Sequence, residues 1–318
     1  MSAREDHEFP PEQQAICDRA RRLEWWSLAY TASAAALMYV TMGTSQAMRT
    51  NFFDDVISMV PAIAFLLAMK IAVLAPRPRY PYGFHTAVSI GYLTASLALL
   101  AMGSFLLIEA AVKLIADERT TIGGMTLFGQ TIWAGWPMLL ALVYGSVPTF
   151  FLGRAKLALA PRIHDKILFA DAQMMKADWM AGTATALGVL GVGMGYWWAD
   201  PVAAGLVSLD ILHDGATNVA NAVTDLMKER PKKTDGSGLE PLPEELEKRL
   251  EELDWVERAE VRLREDGHVF FGEAYVVPRG GRAGVDQIAR AVDHAMSLNW
   301  RLHDLTVMPV ERLPRERS

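Results

Sequence analysis

Residues Ile167 to Ala199 read ILFADAQMMKADWMAGTATALGVLGVGMGYWWA, a stretch long enough to cross a bilayer that nevertheless carries two carboxylates. Asp171 and Asp178 are seven residues apart, so on a helix of about 3.6 residues per turn they return to nearly the same face, which Met174 shares. An ionisable side chain at membrane depth is costly, and it therefore usually faces a bundle interior and marks an ion or proton path. The alternative is that both Asp lie at the cytoplasmic end of a shorter span, where they would be solvated or would cap the helix.

The composition indicates two unlike parts. With 318 residues, 51% hydrophobic and 21% charged, the chain suits neither a soluble domain nor a purely membrane-embedded one. The formal net charge of -6 argues against a nucleic-acid partner, which would need a clustered basic surface. Cys17 is the only cysteine, so an intrachain disulfide and a thiolate-rich zinc site are both excluded. The N-terminus mixes acidic and basic residues, unlike a cleaved signal peptide, and is interpreted as a cytoplasmic tail.

Apolar runs predict six membrane spans. The run from Trp25 to Met48 holds no formal charge for 24 residues, which exceeds the ~20 residues that a spanning helix needs. Pro61 predicts a kink in the second span, which carries Asp54 and Asp55 near its start. The predicted spans cover residues 25–48, 53–75, 86–115, 130–153, 167–196 and 201–224, within a membrane domain of residues 1–226.

Six spans place both termini on one side of the membrane, and the basic residues indicate which side. The loops between spans two and three and between spans four and five hold Arg77, Arg79, Arg154, Lys156, Arg162 and Lys166, against Arg49 and Arg119 on the opposite face. The positive-inside rule therefore predicts a multi-pass protein of the cell membrane with both termini in the cytoplasm. Asp178 then lies about ten residues, roughly 15 Å, along its helix and near mid-bilayer.

The tail changes character after the sixth span. Residues 227–240 are charged and rich in Pro, Gly and Ser, as is typical of a linker between domains. Beyond it, residues 241–318 show a helical pattern, two strand patterns joined by a turn at residues 265–267, a second helical pattern and a last strand. The sequence therefore predicts an αββαβ domain of about 70 residues, small enough to favour self-association for stability.

Short patterns in the second and fifth spans carry a family resemblance. In the fifth span, ADAQMMKAD at residues 170–178 is similar to ADxxHxxxD, with both Asp matched and Met174 in the His position. In the second span, NFFDD at residues 51–55 is similar to [H/D]xxxD, with Asp55 matched and Asn51 in the first position. Together with six spans and a small tail domain, these patterns resemble the cation diffusion facilitator family of metal-ion transporters.

The resemblance implies an α-helical integral membrane protein with a C-terminal α+β ferredoxin-like cytoplasmic domain that works as a homodimer. It also implies proton-coupled export of a divalent metal cation from the cytoplasm through an Asp-lined site between the second and fifth spans. The partners are then membrane lipid, the metal ion and protons; manganese, iron, zinc, cobalt or a similar ion is substrate, and no permanently bound cofactor is expected. The implied ligands of the transported ion are Asn51, Asp55, Asp171, Met174 and Asp178, with Asp54, His85, Asp210 and His213 as accessory residues.

The absence of His from both central positions departs from the family pattern and bears on the choice of ion. Zinc prefers tetrahedral sites of His nitrogen, Cys sulfur and carboxylate oxygen. Carboxylates and the Asn51 amide offer hard oxygen ligands that suit manganese, iron(II) or magnesium, whereas Met174 is a soft thioether that would suit a copper(I)-like ion or would simply pack. In the absence of that His a carboxylate would have to exchange protons, and Asp171 or Asp54 is the candidate.

Two other functions compete with transport: a transport-inactive membrane metal sensor or scaffold of the same fold, and an integral-membrane enzyme. The chain is not expected to be an enzyme, because no nucleophile and base pairing, HExxH or phosphate-binding glycine loop occurs at helix-compatible spacing. His164 and Asp165 are expected to be solvated residues at a helix end rather than a metal entry site. The second and fifth spans are predicted to pack side by side, with Asp55 and Asp178 a few ångströms apart.

Overall fold

Helices make up most of the N-terminal part of the chain in the computed structural model, which describes residues 9–41, 53–116, 124–127, 130–133 and 135–314. Residues 53–58 are helical and lead through a turn at Met59 into α2. Two helices among the described residues, Phe53–Ala72 and Thr86–Ile115, are long and apolar enough to cross a membrane. The helices are α1 Pro11–Thr41, α2 Val60–Ala72, α3 Thr86–Ile115, α4 Gly135–Leu159, α5 Lys166–Gly193 and α6 Ala199–Leu226.

The helical part carries large apolar side chains on its outer surface and charged side chains in its interior. Ile115, Leu140 and Leu187 are exposed, whereas Glu24 and Lys156 are fully buried. A protein in water arranges these two kinds of side chain the other way round. The outer surface therefore fits an apolar surrounding.

Helices α3 and α6 approach each other through two glycines. A Cβ added at Gly103 would lie 2.7 Å from the backbone nitrogen of Leu212, and one added at Gly215 would lie 2.7 Å from the backbone of Leu100. Each helix thus supplies one glycine that admits the backbone of the other. Small residues at a helix interface allow this close approach and the dense packing that follows from it.

The fourth helix differs from its predicted bounds at both ends. We expected a span over residues 130–153, but Gln130–Trp133 forms strand β2, which pairs antiparallel with strand β1 Gly124–Leu127. In a run without charged residues, the spacing of apolar and polar residues does not distinguish a strand from a helix. The Thr and Ile residues of β2 favour a strand. At the other end, the expected basic loop after residue 153 is wrong, because α4 continues to Leu159 and a 3-10 turn, Ala160–Arg162, follows. Pro161 accounts for that end, since proline disfavours a helical residue before it.

Two of the six basic residues that set the predicted orientation are buried. Lys156 is fully buried within α4, and Lys166 is buried at the first position of α5. Both pair with buried carboxylates instead. Their charges therefore stabilise the interior and do not count as cytoplasmic surface charge.

The C-terminal part is a three-stranded sheet with two helices. Strands β3 (Val256–Asp266) and β4 (Val269–Pro278) form an antiparallel hairpin, and β4 pairs in parallel with β5 (Leu302–Pro309). Helix α8 (Val285–Met296) makes the crossover between β4 and β5. Leu246, Phe270 and Leu305 lie in the apolar core between the helices and the sheet. The first of the two helices is α7 Leu242–Glu251.

The β3–β4 turn inserts against the start of α3 and joins the two parts of the chain. The Gly267 N–H donates a 3.2 Å hydrogen bond to Ser89 Oγ. Gly267 has φ +68, and a Cβ there would lie 2.7 Å from the His85 carbonyl oxygen and 2.7 Å from Val88 Cβ. Only glycine meets both conditions without strain, so this residue fixes how closely the hairpin can dock.

Candidate functional site

Asp178 on α5 is joined to the helical segment before α2 by a direct side-chain contact. Ser58 Oγ donates a 2.8 Å hydrogen bond to Asp178 Oδ1. Asp55 lies three residues, or nearly one turn, before Ser58 and acts electrostatically on Asp178. The second and fifth predicted spans therefore meet at Asp178, and Asp55 lies about one helical turn from that contact.

The Asp55 carboxylate has spare binding capacity. Its Oδ2 is buried and has no hydrogen-bond partner within the part of the chain that the structure describes. A buried carboxylate oxygen of this kind normally requires a proton, a hydrogen-bond donor or a cation. Asn51, which the resemblance places in the same ligand set, lies outside the described residues.

Tyr30 brings α1 to the same region. Its hydroxyl contacts the carbonyl oxygens of Tyr144 and Gly145, each at 2.9 Å, and it lies within electrostatic reach of Asp55 and Asp178. Its position inside an apolar run offered no signal that could have singled it out. Tyr30 thus links α1 to α4 on the side of the interior where Asp55 and Asp178 lie.

The arrangement provides oxygen donors for a hard cation. Asp178 and the Ser58 hydroxyl are in contact and Asp55 lies about one turn away, and such oxygen donors suit magnesium, calcium or manganese better than soft metals. Within the described ranges, no group of three or more His, Cys, Asp or Glu side chains is placed to hold a metal ion. A cation at Asp55 and Asp178 would therefore retain water or draw on further ligands, which suits a transient occupant more than a tightly held structural metal.

Asp171 is inward-facing, as predicted from its spacing, but it is already paired. Lys156 Nζ forms an ion pair with Asp171, lies 3.0 Å from Glu24 Oε2 and donates a 2.7 Å hydrogen bond to Ser27 Oγ. All three charged side chains are fully buried. The sequence interpretation missed Glu24 and Lys156. The sequence could have indicated Lys156, because it stands among apolar residues at helical spacing in LGRAKLALA.

Met174 faces inward and packs. It is fully buried in an apolar cluster with Ala98, Leu99, Met102 and Ile211. Helices α3 and α6 supply these neighbours, so the thioether fills the space between three helices. This environment favours the packing interpretation over coordination.

The accessory residues lie in separate surroundings. Asp210 pairs at 2.8 Å with Lys176, which also lies 3.0 Å from Asp214, so Lys176 bridges α5 and α6. His213 is exposed on α6. Asp54 is partly buried within electrostatic reach of Glu109 and Lys113, which form a 2.8 Å pair on α3.

His85 belongs to the junction between the two parts of the chain. Its ring centroid is 4.7 Å from that of His303 and 6.0 Å from that of Phe271. Burial lowers the pKa of His85 to about 4; His303 and His268 add to this effect and Asp266 opposes it. His85 is therefore neutral at pH 7 and packs against the C-terminal sheet.

His164 and Asp165 are not solvated, contrary to expectation. Asp165 caps α5 by accepting a 2.7 Å hydrogen bond from the Leu168 N–H, and its other oxygen lies 3.3 Å from His268 Nε2. His164 Nε2 lies 3.4 Å from Glu265 Oε1. The β3–β4 hairpin covers both residues, and this docking could not be read from local sequence.

Lys166 is the centre of this junction. Its Nζ lies 2.7 Å from Asp225 Oδ2 on α6 and 2.9 Å from Glu265 Oε2 on β3. Burial alone would raise the pKa of Glu265, but His164 and Lys166 together hold it below its ordinary value. Glu265 therefore stays ionised and ties the hairpin to α5, the helix that carries Asp178.

Comparison with known proteins shows similarity to metal transporters. Residues 26–227, more than half of the chain, match the family model described as the cation efflux transmembrane domain. The chain is 23% identical over 177 residues to the manganese efflux system protein MneS of Bacillus subtilis (strain 168), a match that covers 56% of the chain and 57% of that protein. It is 27% identical over 175 residues to an uncharacterized metal transporter of Schizosaccharomyces pombe, covering 52% of the chain and 44% of that protein. The chain spans about half the length of the curated relatives that it matches.

Proposed function

Because the chain belongs to the cation efflux family of membrane proteins, we propose that it is a secondary transporter that exports a divalent metal cation from the cytoplasm in exchange for protons. The cation would bind between the second and fifth spans, at Asp55 and Asp178. The observation that carries this proposal is the Ser58–Asp178 hydrogen bond, which joins the two spans at a carboxylate, beside a second carboxylate with an unused buried oxygen.

The proposed site is narrower than the ligand set implied by the resemblance. Asp55 and Asp178 supply carboxylate oxygens, and Ser58 supplies a hydroxyl close to Asp178. Asp171 is left out because it is held in an ion pair with Lys156, and Met174 is left out because apolar side chains surround it. Asn51 stays in the proposed ligand set because it occupies the first position of the family's [H/D]xxxD pattern in the second span.

Manganese is the proposed substrate. Carboxylate, hydroxyl and amide oxygens are the donors that manganese accepts readily, whereas zinc sites usually include His or Cys. The similarity to a manganese efflux protein supports the same choice. Transport then requires no resident cofactor, and the protein has no proposed enzymatic activity.

The proposed topology has six spans and both termini in the cytoplasm. Helices α1 to α6, with the helical segment before α2, provide the spans. The exposed residues Arg77, Arg79, Arg154 and Arg162 remain as cytoplasmic charges once buried Lys156 and Lys166 are removed from the count. The C-terminal helices and strands occur in the order of a ferredoxin-like domain, which we propose as the homodimer contact.

Purified protein in sealed liposomes tests the proposal. Wild type should move Mn²⁺ across the membrane, and Asp178→Asn should abolish that flux while leaving the protein folded, because an amide in that position removes a ligand charge without adding bulk. Asp210→Asn is the matched control, since Asp210 pairs with Lys176 at a partly exposed position. Asp178→Asn with full flux would remove the proposed site.

A transport-inactive sensor or scaffold is the second candidate, and the small number of ligands favours it. It predicts that wild type binds Mn²⁺, with the binding lost in Asp178→Asn, yet moves none across the membrane. Binding and flux measured on one preparation separate the two functions. Flux in wild type excludes the sensor.

A further inference from the structure

A second cluster of ionisable groups lies in the helical interior, apart from the proposed cation site. Glu24 on α1, Lys156 on α4 and Asp171 on α5 have no exposed side-chain surface. Lys156 Nζ contacts both carboxylates and Ser27 Oγ. One ammonium group therefore links three helices, of which α1 is distant in sequence from α4 and α5.

The charges of this cluster do not balance if both carboxylates are ionised. Two carboxylates and one ammonium leave one net negative charge in a fully enclosed space, where an uncompensated charge is strongly disfavoured. Glu24 Oε1 and Asp171 Oδ1 are also buried and have no hydrogen-bond partner among the described residues. One added proton corrects the charge and gives an otherwise unsatisfied oxygen a hydrogen bond.

The geometry shows where that proton would lie. Lys156 Nζ contacts one oxygen of each carboxyl group, so Glu24 and Asp171 lie against the same ammonium. Two buried carboxyl groups on one ammonium can share a proton, because both cannot be ionised there at low cost. The charged groups that face each other in this cluster are Glu24 on α1, Lys156 on α4 and Asp171 on α5. Asp178 lies further along α5.

We propose that Glu24 and Asp171 share one exchangeable proton beside Lys156, and that this cluster is the proton-binding site of the transporter, separate from Asp55 and Asp178. The role in exchange rests on the proposed function, whereas the presence of the proton does not. Release of the proton leaves both carboxylates ionised beside one ammonium, and rebinding restores a neutral cluster.

Helix α5 connects the proton site to the cation site. Asp171 and Asp178 share a face about 10 Å apart, by the 1.5 Å rise per residue, and Asp171 acts electrostatically on Asp178. A divalent cation at Asp178 stabilises a negative charge at the cluster and so favours loss of the proton. The sign of this interaction is that of an exchanger, in which cation and proton occupy the protein alternately.

Infrared difference spectra between acidic and alkaline buffer test the proton directly. Wild type should show a protonated-carboxyl band that weakens at alkaline pH, and both Glu24→Gln and Asp171→Asn should lack it, because each leaves one carboxylate neutralised by Lys156. Glu12→Gln is the matched control, since Glu12 lies on the same helix but is exposed in a pair with Arg162. The band should persist in that control.

Two results would overturn the assignment. A band that persists in both Glu24→Gln and Asp171→Asn would place the proton elsewhere, and a band that does not change with pH would make it a fixed structural proton. Glu24→Gln and Asp171→Asn each remove one member of the pair. If one variant fails to fold, the other still shows whether the band comes from this pair.

Transport measurements test the role in exchange. With Mn²⁺ in liposomes, Glu24→Gln should move one proton fewer per Mn²⁺ than wild type and should lose the dependence of flux on the pH gradient. An unchanged proton count in a variant that still moves Mn²⁺ would overturn that role. If wild type moves no Mn²⁺, the proposed function fails, but the infrared comparison still decides whether the cluster holds an exchangeable proton.

Discussion

Ser58 Oγ donates a 2.8 Å hydrogen bond to Asp178 Oδ1, and this contact joins the second predicted span to the fifth at a carboxylate. Hydrogen bonds to charged groups are worth about 1.5–3 kcal/mol. Ser58→Ala should therefore weaken Mn²⁺ binding by roughly tenfold or more, since ~1.4 kcal/mol corresponds to a factor of ten. Titration of Mn²⁺ into purified protein measures this effect. Ser104→Ala is the control, because Ser104 donates a hydrogen bond to the Leu100 carbonyl of its own helix; equal affinities in the two variants would contradict a role for Ser58.

Met174→Leu should retain Mn²⁺ flux. The thioether is enclosed by apolar side chains of α3 and α6, and volume-conserving substitutions in a core usually cost less than about 1.5 kcal/mol. Flux in liposomes and the temperature of unfolding measure the two effects. A folded variant that has lost flux would show that the sulfur of Met174 coordinates the ion.

Lys166→Met should destabilise the protein by about 3–5 kcal/mol, because it leaves the buried carboxylates of Asp225 and Glu265 without their cation. Lys176→Met is the matched control, since its ion pairs with Asp210 and Asp214 are partly exposed and such pairs contribute about 1 kcal/mol or less. Thermal unfolding in detergent compares the two variants. Equal losses of stability would show that the Lys166 network is not a significant contact between the two parts of the chain.

Gly267→Ala should loosen the docking of the β3–β4 turn. An alanine there must adopt φ +68 and place its Cβ against the His85 carbonyl oxygen and Val88. Gly281→Ala separates these effects, because Gly281 has φ +71 but has no atom within 4 Å of an added Cβ. The control should lose about 1–2 kcal/mol from backbone strain alone, and Gly267→Ala should lose more and show faster amide exchange in the hairpin. Identical exchange in the two variants would contradict the close docking.

Stability should fall as pH decreases from about 6.5 toward about 4, the ordinary and folded-state values for the pKa of His85. In this window the unfolded chain binds the proton on His85 more readily than the folded chain does. The contribution of His85 to the free energy of unfolding is therefore complete above about pH 6.5 and is lost as the pH falls to about 4. A difference of this size corresponds to ~3 kcal/mol at most. Unfolding measured across a pH series should show this slope in wild type and a smaller slope in His85→Gln. An equal slope in the two proteins would exclude His85 as its source.

Local sequence was sufficient for the periodic features of the chain. The spacing of Asp171, Met174 and Asp178 predicted one inward face of α5, and all three side chains project into the helical interior. The alternation of helical and strand patterns after residue 240 predicted elements that the C-terminal part contains in the same order. Both inferences depend on properties repeated over a few residues, which sequence displays directly.

Partners could be assigned only from the tertiary structure. Lys156 lies 132 residues from Glu24 in sequence, and Lys166 lies 99 residues from Glu265. A charge in an apolar run shows that a partner is needed, because burial without one is costly, but it does not show which residue the packing will supply. For that reason the sequence indicated that Asp171 is buried, whereas the packing of α1, α4 and α5 gave it a lysine and a second carboxyl group instead of a place beside Asp178.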